Sequence, residues 1–249
     1  MQEKKLKRRS SQRYVTRTET VISDYLREIV YGGSDGIVTT FAVVAGFTGA
    51  NVAGGDSTGL MVSAVVLFGF ANLFADAMSM GLGDYLSMRA EEDMYHSLKD
   101  GEMSRIESKD TALEKMTLAD LKRRGFDHDD ARMVMKIFKK NAHFWAEWIM
   151  HQEHKLPDPG EVNPFFAGVA TFVSFLIFGF IPLAPFLVFD ASPNEAFFIS
   201  LASMLLALFL LGMLRWRTVG QKFWRSMMET VVVGSVSAGV AFLVGVIIK

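Results

Sequence analysis

Hydrophobic and charged positions form separate long blocks along this chain instead of mixing within each segment. Between residues 29 and 86 the only charged side chains are four aspartates, and between 163 and 214 they are one aspartate and one glutamate. The intervening segment, 89–161, is dense in Lys, Arg, Asp and Glu. Because a soluble domain spreads charge over every amphipathic element, this separation indicates two solvents, water and a lipid bilayer.

Five stretches are apolar over the roughly 20 residues that a helix needs to cross a bilayer. These are Ile29–Ala50, Leu60–Met88, Pro164–Val188, Ala196–Leu214 and Thr230–Ile248. The first and fifth stretches are rich in glycine, which lets helix backbones approach closely, so we expect both inside the bundle or at a dimer seam. Pro182 and Pro185 predict a kink or an unwound turn in the third.

The short loops predict the orientation. The loop before the fifth stretch is basic and contains no acid, whereas the segments 54–58 and 190–194 contain no Lys or Arg. By the positive-inside rule, the N-terminus and the polar middle segment are cytoplasmic. The sequence thus predicts an all-α membrane protein with five transmembrane helices. Its parts are a cytoplasmic basic N-terminal segment (1–28), transmembrane helices 1–2 (29–88), a small cytoplasmic helical domain (89–162) and transmembrane helices 3–5 (163–249).

Short local signals predict the helices of the polar middle segment. The second span is too long for a bilayer, so we expect it to continue into Arg89–Leu98. Thr111–Glu114 has the pattern of a capping box, Asp127 is an expected N-cap, and Gly125 stands where a helix C-cap would. A last helix is expected over Asn141–Lys155, before two prolines.

The residue types exclude several classes of function. The chain has no Cys, which excludes thiolate metal sites and disulfides. Its basic N-terminal tail is typical of a topology or lipid-headgroup signal, so we expect no nucleic-acid partner. No nucleophile arrangement or phosphate-binding loop is found in the sequence. We therefore expect neither an enzyme, nor a bound cofactor, nor ATP-driven transport.

The strongest chemical signal is acid inside the predicted membrane spans. Asp35 lies in the first span, and Asp76, Met80 and Asp84 follow at i, i+4 and i+8 on one face of the second. A carboxylate at the centre of a membrane helix costs about 2.5–3.5 kcal/mol on insertion scales, so by default it marks a pathway. Carboxylate oxygen together with thioether sulfur suits a borderline or soft cation better than Ca²⁺ or Mg²⁺.

Each of these residues also has a purely structural interpretation. Met80 suits a lipid-facing or gap-filling role in a chain with 15 Met. Asp35 and Asp76 could instead form buried hydrogen bonds to a neighbouring helix, and Asp84 could be solvated near the membrane interface. If they do bind a cation, the metal would displace protons that the desolvated carboxylates hold, which makes metal–proton exchange a hypothesis.

The polar segment carries weaker metal signals. Most of its acids are typical of a solvated helix surface. On the last predicted helix, His and Glu side chains share one face at i, i+4, i+8 and i+11, but they match no fixed metal motif. These residues are His143, Glu147, His151 and His154.

Two segments resemble signatures of the vacuolar iron transporter family. They are SDGIVTTFAVVAG at Ser34–Gly46 and SMGLGDYLS at Ser79–Ser87. The resemblance continues through Phe144-Trp145, Trp148, Met150–Glu153 and Asn163-Pro164, and covers nearly the whole chain after about residue 25. It implies a five-span homodimer that exchanges Fe²⁺, and often Mn²⁺, for protons at a site near the dimer axis. It also implies a cytoplasmic helical domain that collects metal.

Carried over by position, the resemblance implies a set of metal-binding residues. Those in the membrane spans are Asp35, Met80 and Asp84, which stands where the family usually has Glu. Asp76 departs from the family, in which a small residue is common there, and is a candidate ligand from the residue pattern alone. Those in the cytoplasmic domain are Glu102, Met150 and Glu153. The family usually presents pairs of glutamates three residues apart in this domain. Here Arg105 takes the partner position to Glu102, and Met116 and Ala119 replace the second pair, so we expect weaker metal storage in the domain.

The expected function is proton-coupled export of a divalent transition metal, Fe²⁺ or Mn²⁺, from the cytoplasm. One alternative is a carrier of the same fold selective for Mn²⁺, Zn²⁺ or Co²⁺, since ligand types alone do not separate these ions. Another is a membrane-anchored metal sensor or scaffold without transport. The lack of a long targeting extension favours a bacterial inner membrane over a vacuolar membrane.

Overall fold

The chain divides into two compact units. The computed structural model describes residues 24–52, 58–189, 192–219 and 223–248. One unit, here called the membrane unit, comprises the described parts of Met1–Tyr85 and Phe165–Lys249. The other, here called the inserted unit, is Leu86–Pro164. Each unit has its own hydrophobic core.

All regular secondary structure in the described residues is helical, which confirms the predicted all-α class. The helices are α1 (Leu26–Val52), α2 (Thr58–Glu107), α3 (Thr111–Arg123), α4 (His128–Lys140), α5 (Ala142–Gln152), α6 (Pro164–Val188), α7 (Pro193–Val219) and α8 (Phe223–Ile248), with a 3-10 turn at Pro159–Glu161. Four of them, α1, α2, α6 and α7, are long and apolar enough to cross a membrane. In α8 the apolar described stretch is the shorter Gly234–Ile247, so the fifth span stays a prediction.

Helix α2 is longer than its hydrophobic pattern predicts. It runs for 50 residues and ends at Glu107, whereas we expected it to continue only to about Leu98. Beyond the apolar part, side-chain pairs one turn apart support the helix: Arg89 contacts Glu92 at 3.1 Å and Asp93 at 3.7 Å. The apolar pattern ends where these charge pairs begin, but the helix continues to Glu107.

Pairs of glycines set the spacing of the helices in the membrane unit. A methyl group added at Gly36 of α1 would lie 2.5 Å from the carbonyl oxygen of Phe175 in α6, and one added at Gly179 would lie 2.9 Å from the carbonyl oxygen of Gly36. Gly46 of α1 and Gly245 of α8 are in similarly close contact. The first and last helices therefore pack backbone to backbone, as the glycine content predicts.

The two prolines of α6 leave the helix unbroken, so the predicted unwound turn is wrong. Pro185 lacks an N–H and cannot satisfy the carbonyl of Ile181, four residues earlier. The hydroxyl of Ser203 in α7 donates to that carbonyl at 3.5 Å, and Ser200 donates to the carbonyl of Pro182 at 2.7 Å. The Ser203 hydroxyl thus replaces the hydrogen bond that Pro185 cannot donate, and the helix continues without an unwound turn.

The inserted unit is a small helical bundle around aromatic side chains. Phe138 of α4 stacks on Trp145 of α5, with ring centroids 6.3 Å apart, and the Trp145 indole N–H donates to Thr117 of α3 at 3.1 Å. The N-cap of α4 is Asp127, as predicted. The predicted capping box at Thr111 is wrong by one residue, because Asp110 caps α3 by accepting from the backbone N–H of Ala112.

The glycine contact between α1 and α6 generates a stability test. In Gly36→Ala the new methyl group would meet the backbone of Phe175, which cannot rotate out of the way as a side chain can. We therefore expect the free energy of unfolding to fall by about 1–3 kcal/mol, the usual cost of overpacking. Gly239→Ala is the matched control, because a methyl group there has nothing within 4 Å. Alanine favours a helix over glycine, so the control should melt at the same or a higher temperature.

The measurement is the thermal melt of each purified variant in the same detergent, followed by circular dichroism. Equal melting temperatures for the two variants would contradict a close α1–α6 contact.

Candidate metal site

Three of the four predicted membrane-site residues converge on facing parts of α1 and α2. Asp35 is half-buried on α1, and Asp76 is close enough for the two carboxylates to interact electrostatically. Met80, one turn after Asp76 on α2, is half-buried and packs against the core of the membrane unit. Two carboxylates and a thioether therefore occupy neighbouring positions in an otherwise apolar bundle.

The second-span aspartates accept hydrogen bonds from neutral donors. The Asn72 side-chain amide donates to Asp76 at 2.6 Å, one turn away on the same helix. The Thr171 hydroxyl of α6 donates to Asp84 at 2.5 Å. Asp84 is thus half-buried and hydrogen-bonded to a neighbouring helix, in contrast to the solvated alternative. A neutral donor orients a carboxylate without cancelling its charge, so the oxygens remain able to bind a cation.

A groove of about 640 Å³ lies between α1 and α2 on the exposed side of the membrane unit. Small residues form most of its walls, and Asn72 borders it. The lining residues are Ala42, Val43, Gly46, Phe47, Ala50, Phe68, Ala71, Asn72 and Ala75. Because Asn72 also donates to Asp76, this one side chain connects the wall of the groove to the carboxylate pair.

The sequence reasoning missed Glu28. This side chain is only 5% exposed, and its Oε2 atom is buried without a hydrogen-bond partner. Its carbonyl accepts from the Ser174 hydroxyl of α6 at 3.4 Å. Glu28 precedes Asp35 by seven residues, two helical turns, so the two acids share a face of α1. That spacing is the signal in the sequence that could have identified Glu28.

Glu102 of α2, in the inserted unit, is the most buried of the charged predicted ligands. Only 7% of its surface is exposed. Its carboxylate pairs with Arg105 at 3.0 Å and with His154 at 3.2 Å. Glu153 is half-buried, and burial, followed by the charge of nearby Glu102, raises its carboxyl pKa. Met150 is fully buried one turn before Glu153. His154 therefore contacts Glu102, and the Glu153 carboxylate is within electrostatic range of both.

The His and Glu side chains predicted to share one face of the last helix contact different partners. His143 approaches Glu147 at 3.6 Å, and Lys99 takes the same carboxylate at 2.9 Å. His154 instead contacts Glu102. Within the described residues of both units, no three or more His, Asp or Glu side chains are grouped so as to hold a metal ion. The seven predicted metal ligands stay predictions.

Comparison with known proteins shows which family this chain is similar to. A model of the VIT family matches residues 26–246. The vacuolar iron transporter of Toxoplasma gondii is 33% identical over 236 residues, which cover 91% of this chain and 75% of that protein. The vacuolar iron transporter of Plasmodium berghei is 32% identical over 235 residues, covering 91% and 83%.

A plant protein is similar over an equal share of the chain. Vacuolar iron transporter 1 of Arabidopsis thaliana is 29% identical over 230 residues, which cover 91% of this chain and 87% of that protein. The matched region contains every residue of the candidate site, from Glu28 in α1 to Thr171 in α6. With its apolar helices and this match over nearly its whole length, the chain is a membrane protein that belongs to the VIT family of transporters.

Proposed function

We propose that this chain carries a divalent transition metal, Fe²⁺ and also Mn²⁺, out of the cytoplasm in exchange for protons. The observation that carries the proposal is the convergence of Asp35, Asp76 and Met80 on α1 and α2, in a family whose relatives are named vacuolar iron transporters. Carboxylate oxygen and thioether sulfur together favour a borderline cation such as Fe²⁺ over the harder Ca²⁺.

The exchange follows from the environment of the acids. A carboxylate that is shielded from water prefers its protonated form, and a bound cation reverses that preference. Metal that binds at such a carboxylate would therefore displace a proton, and protons that arrive from the other side would displace metal. In this mechanism Asp84 would receive the cation from the cytoplasmic end of α2 while Thr171 holds its carboxylate in position.

A homodimer completes the site in this proposal. The described residues of one chain do not group three or more acids or histidines around a metal, so further ligands would come from a second copy. The groove between α1 and α2 is walled by small residues, which let another helix approach closely. A two-fold axis along this groove would place Asp35, Asp76 and Met80 opposite their copies.

The proposed orientation places the inserted unit in the cytoplasm. The segment 215–225, where α7 gives way to α8, has four basic residues and no acid, and the positive-inside rule puts such a segment on the cytoplasmic side. With five spans, the polar segment between the second and third spans lies on that same side. Glu102, Met150 and Glu153 would then meet metal before it reaches the membrane spans.

The first experiment is metal flux into proteoliposomes under an imposed pH gradient. Asp35→Asn keeps side-chain size but removes the negative charge and one carboxylate oxygen, and Met80→Leu removes the thioether sulfur. We expect flux to fall roughly tenfold or more, since changes to outer-shell residues alone cost 10–100-fold at metal sites. Met78→Leu is the matched control, because Met78 lies on the same helix but is 52% exposed. Fe²⁺ should be tested under anaerobic conditions beside Mn²⁺, Zn²⁺ and Co²⁺.

Native-like flux in both variants would place the transport site elsewhere. If the folded wild-type protein moved none of the four ions, the carrier proposal would be wrong, and a metal sensor or scaffold would take its place. Flux that does not change with the pH gradient would contradict proton exchange but would still support metal transport.

Thr171 provides a finer test, because its hydroxyl donates to Asp84 from a neighbouring helix. Thr171→Val keeps the shape but removes the donor, so the metal concentration for half-maximal flux should rise about 10–100-fold, as is usual for residues that orient a ligand. Thr171→Ser keeps the hydroxyl and should stay near wild type. Equal behaviour of the two variants would show that this hydrogen bond does not contribute to transport.

The dimer can be tested by cross-linking, because the chain has no native Cys. Ala71 and Ala75 line the groove, and a disulfide needs the two Cα atoms within about 7 Å. We expect oxidant to link Ala71→Cys or Ala75→Cys into a species of twice the monomer mass. Leu206→Cys is the control, since Leu206 is exposed on α7. A monomer mass for the unmodified protein in native mass spectrometry, with no cross-link, would contradict the dimer.

A further inference from the structure

The buried carboxylate of Glu102 is already paired with a cation that belongs to the chain. The Nη1 atom of Arg105 lies 3.2 Å from one Glu102 oxygen and 3.0 Å from the other. The Nε atom of the same guanidinium donates to Asp110 at 3.1 Å. One side chain thus bridges two acids, one near the end of α2 and one at the N-cap of α3.

The remaining surroundings of Glu102 consist of side chains that commonly bind metals. His154 approaches the Oε1 atom of Glu102 at 3.2 Å. Glu153 is near enough for its carboxylate to feel the charge of Glu102. Glutamate and histidine of this kind, close together and largely shielded from water, would attract a divalent cation if they had no other partner.

Arg105 is well suited to exclude such a cation. A buried carboxylate requires a positive or hydrogen-bonding partner, and a guanidinium supplies that charge permanently because it does not lose its proton in proteins. Its second anchor, Asp110, holds it in place. A metal ion would have to displace the guanidinium and leave it without its main partner, or else bind beside it against charge repulsion.

Other acids of the inserted unit are neutralised in the same way. Asp120 is 7% exposed and accepts from both Arg123 and Arg124 of its own chain segment. Glu114 pairs with Lys139 at 2.6 Å, and Glu147 pairs with Lys99. Basic side chains of the unit itself therefore balance the charge of these acids.

We propose that Arg105 is an internal counter-ion that competes with divalent metal for Glu102 and sets the metal affinity of the inserted unit. The inference rests on the proposed function only in assuming that the chain meets divalent metal. With Arg105 in place, the unit folds without metal and binds it weakly. Removal of the guanidinium exposes Glu102, Glu153 and His154 to the cation.

The test measures Mn²⁺ binding to the full-length protein in detergent, by the loss of the free-ion electron paramagnetic resonance signal. All proteins carry Asp35→Ala and Met80→Ala, so that the membrane site does not contribute. We expect Arg105→Gln to lower the dissociation constant about tenfold, since one fewer unit charge acts on the ion at close range. Arg105→Lys keeps the charge and should change the constant much less.

Two controls separate this site from a general charge effect. Arg132 is exposed on α4 in the same unit, so Arg132→Gln makes the same change in net charge away from Glu102. Its dissociation constant should match the parent. Adding Glu102→Gln to Arg105→Gln should abolish the gain, because it removes the carboxylate that the guanidinium had covered.

Several outcomes would overturn the proposal. They are no gain in Arg105→Gln, an equal gain in Arg132→Gln, or a gain that survives Glu102→Gln. If Arg105→Gln does not fold, Arg105→Met, which keeps more of the aliphatic stem, carries the same expectation. The transport proposal is tested by a different experiment, the flux of the wild-type protein. Absence of that flux would not change these binding measurements.

Discussion

The close approach of glycine-bearing helix backbones is the constraint on which the membrane unit depends. Gly36 and Gly179 hold α1 against α6, and Gly81 and Gly168 hold α2 against the same helix. Because α6 is shared, both acid-bearing helices are fixed relative to each other through it. Thr171, in the same stretch of α6, contacts Gly32 of α1 by its backbone and Asp84 of α2 by its hydroxyl. Small residues here determine where the carboxylates lie.

The two units balance buried acid in opposite ways. In the membrane unit, Asp76 and Asp84 accept from an amide and a hydroxyl, which leave the negative charge in place. In the inserted unit, Glu102 and Asp120 are paired with arginine, which cancels it. A cation gains most where the carboxylate is oriented but not neutralised. Of these four acids, the two in the membrane unit therefore keep a charge that a cation can use.

Sequence alone located the apolar helices well and the polar contacts poorly. Helix α6 has the predicted limits, Pro164–Val188, since the hydrophobic pattern changes sharply at both ends. The end of α2 was missed because its last turns depend on charge pairs, and Asp110 was missed as a cap because Thr111 beside it offers the same chemistry. The sequence could propose Asp35, Asp76 and Asp84 as candidate acids, but a partner such as Thr171 comes from a distant position. Such pairing follows from helix packing, which no local pattern contains.

The kind of partner that each acid has also determines what it can exchange. A carboxylate held by Thr171 or Asn72 can gain or lose a proton or a metal ion while its hydrogen bond persists, because a hydroxyl or an amide remains compatible with either state. A carboxylate paired with arginine must first lose a strong charge-assisted bond before it can accept another cation. Exchange of one cation for another thus requires acids with weak, neutral partners. Within the described residues, the facing parts of α1 and α2 offer such acids in an apolar setting, where binding and release of a proton are coupled most strongly to the arrival of a metal.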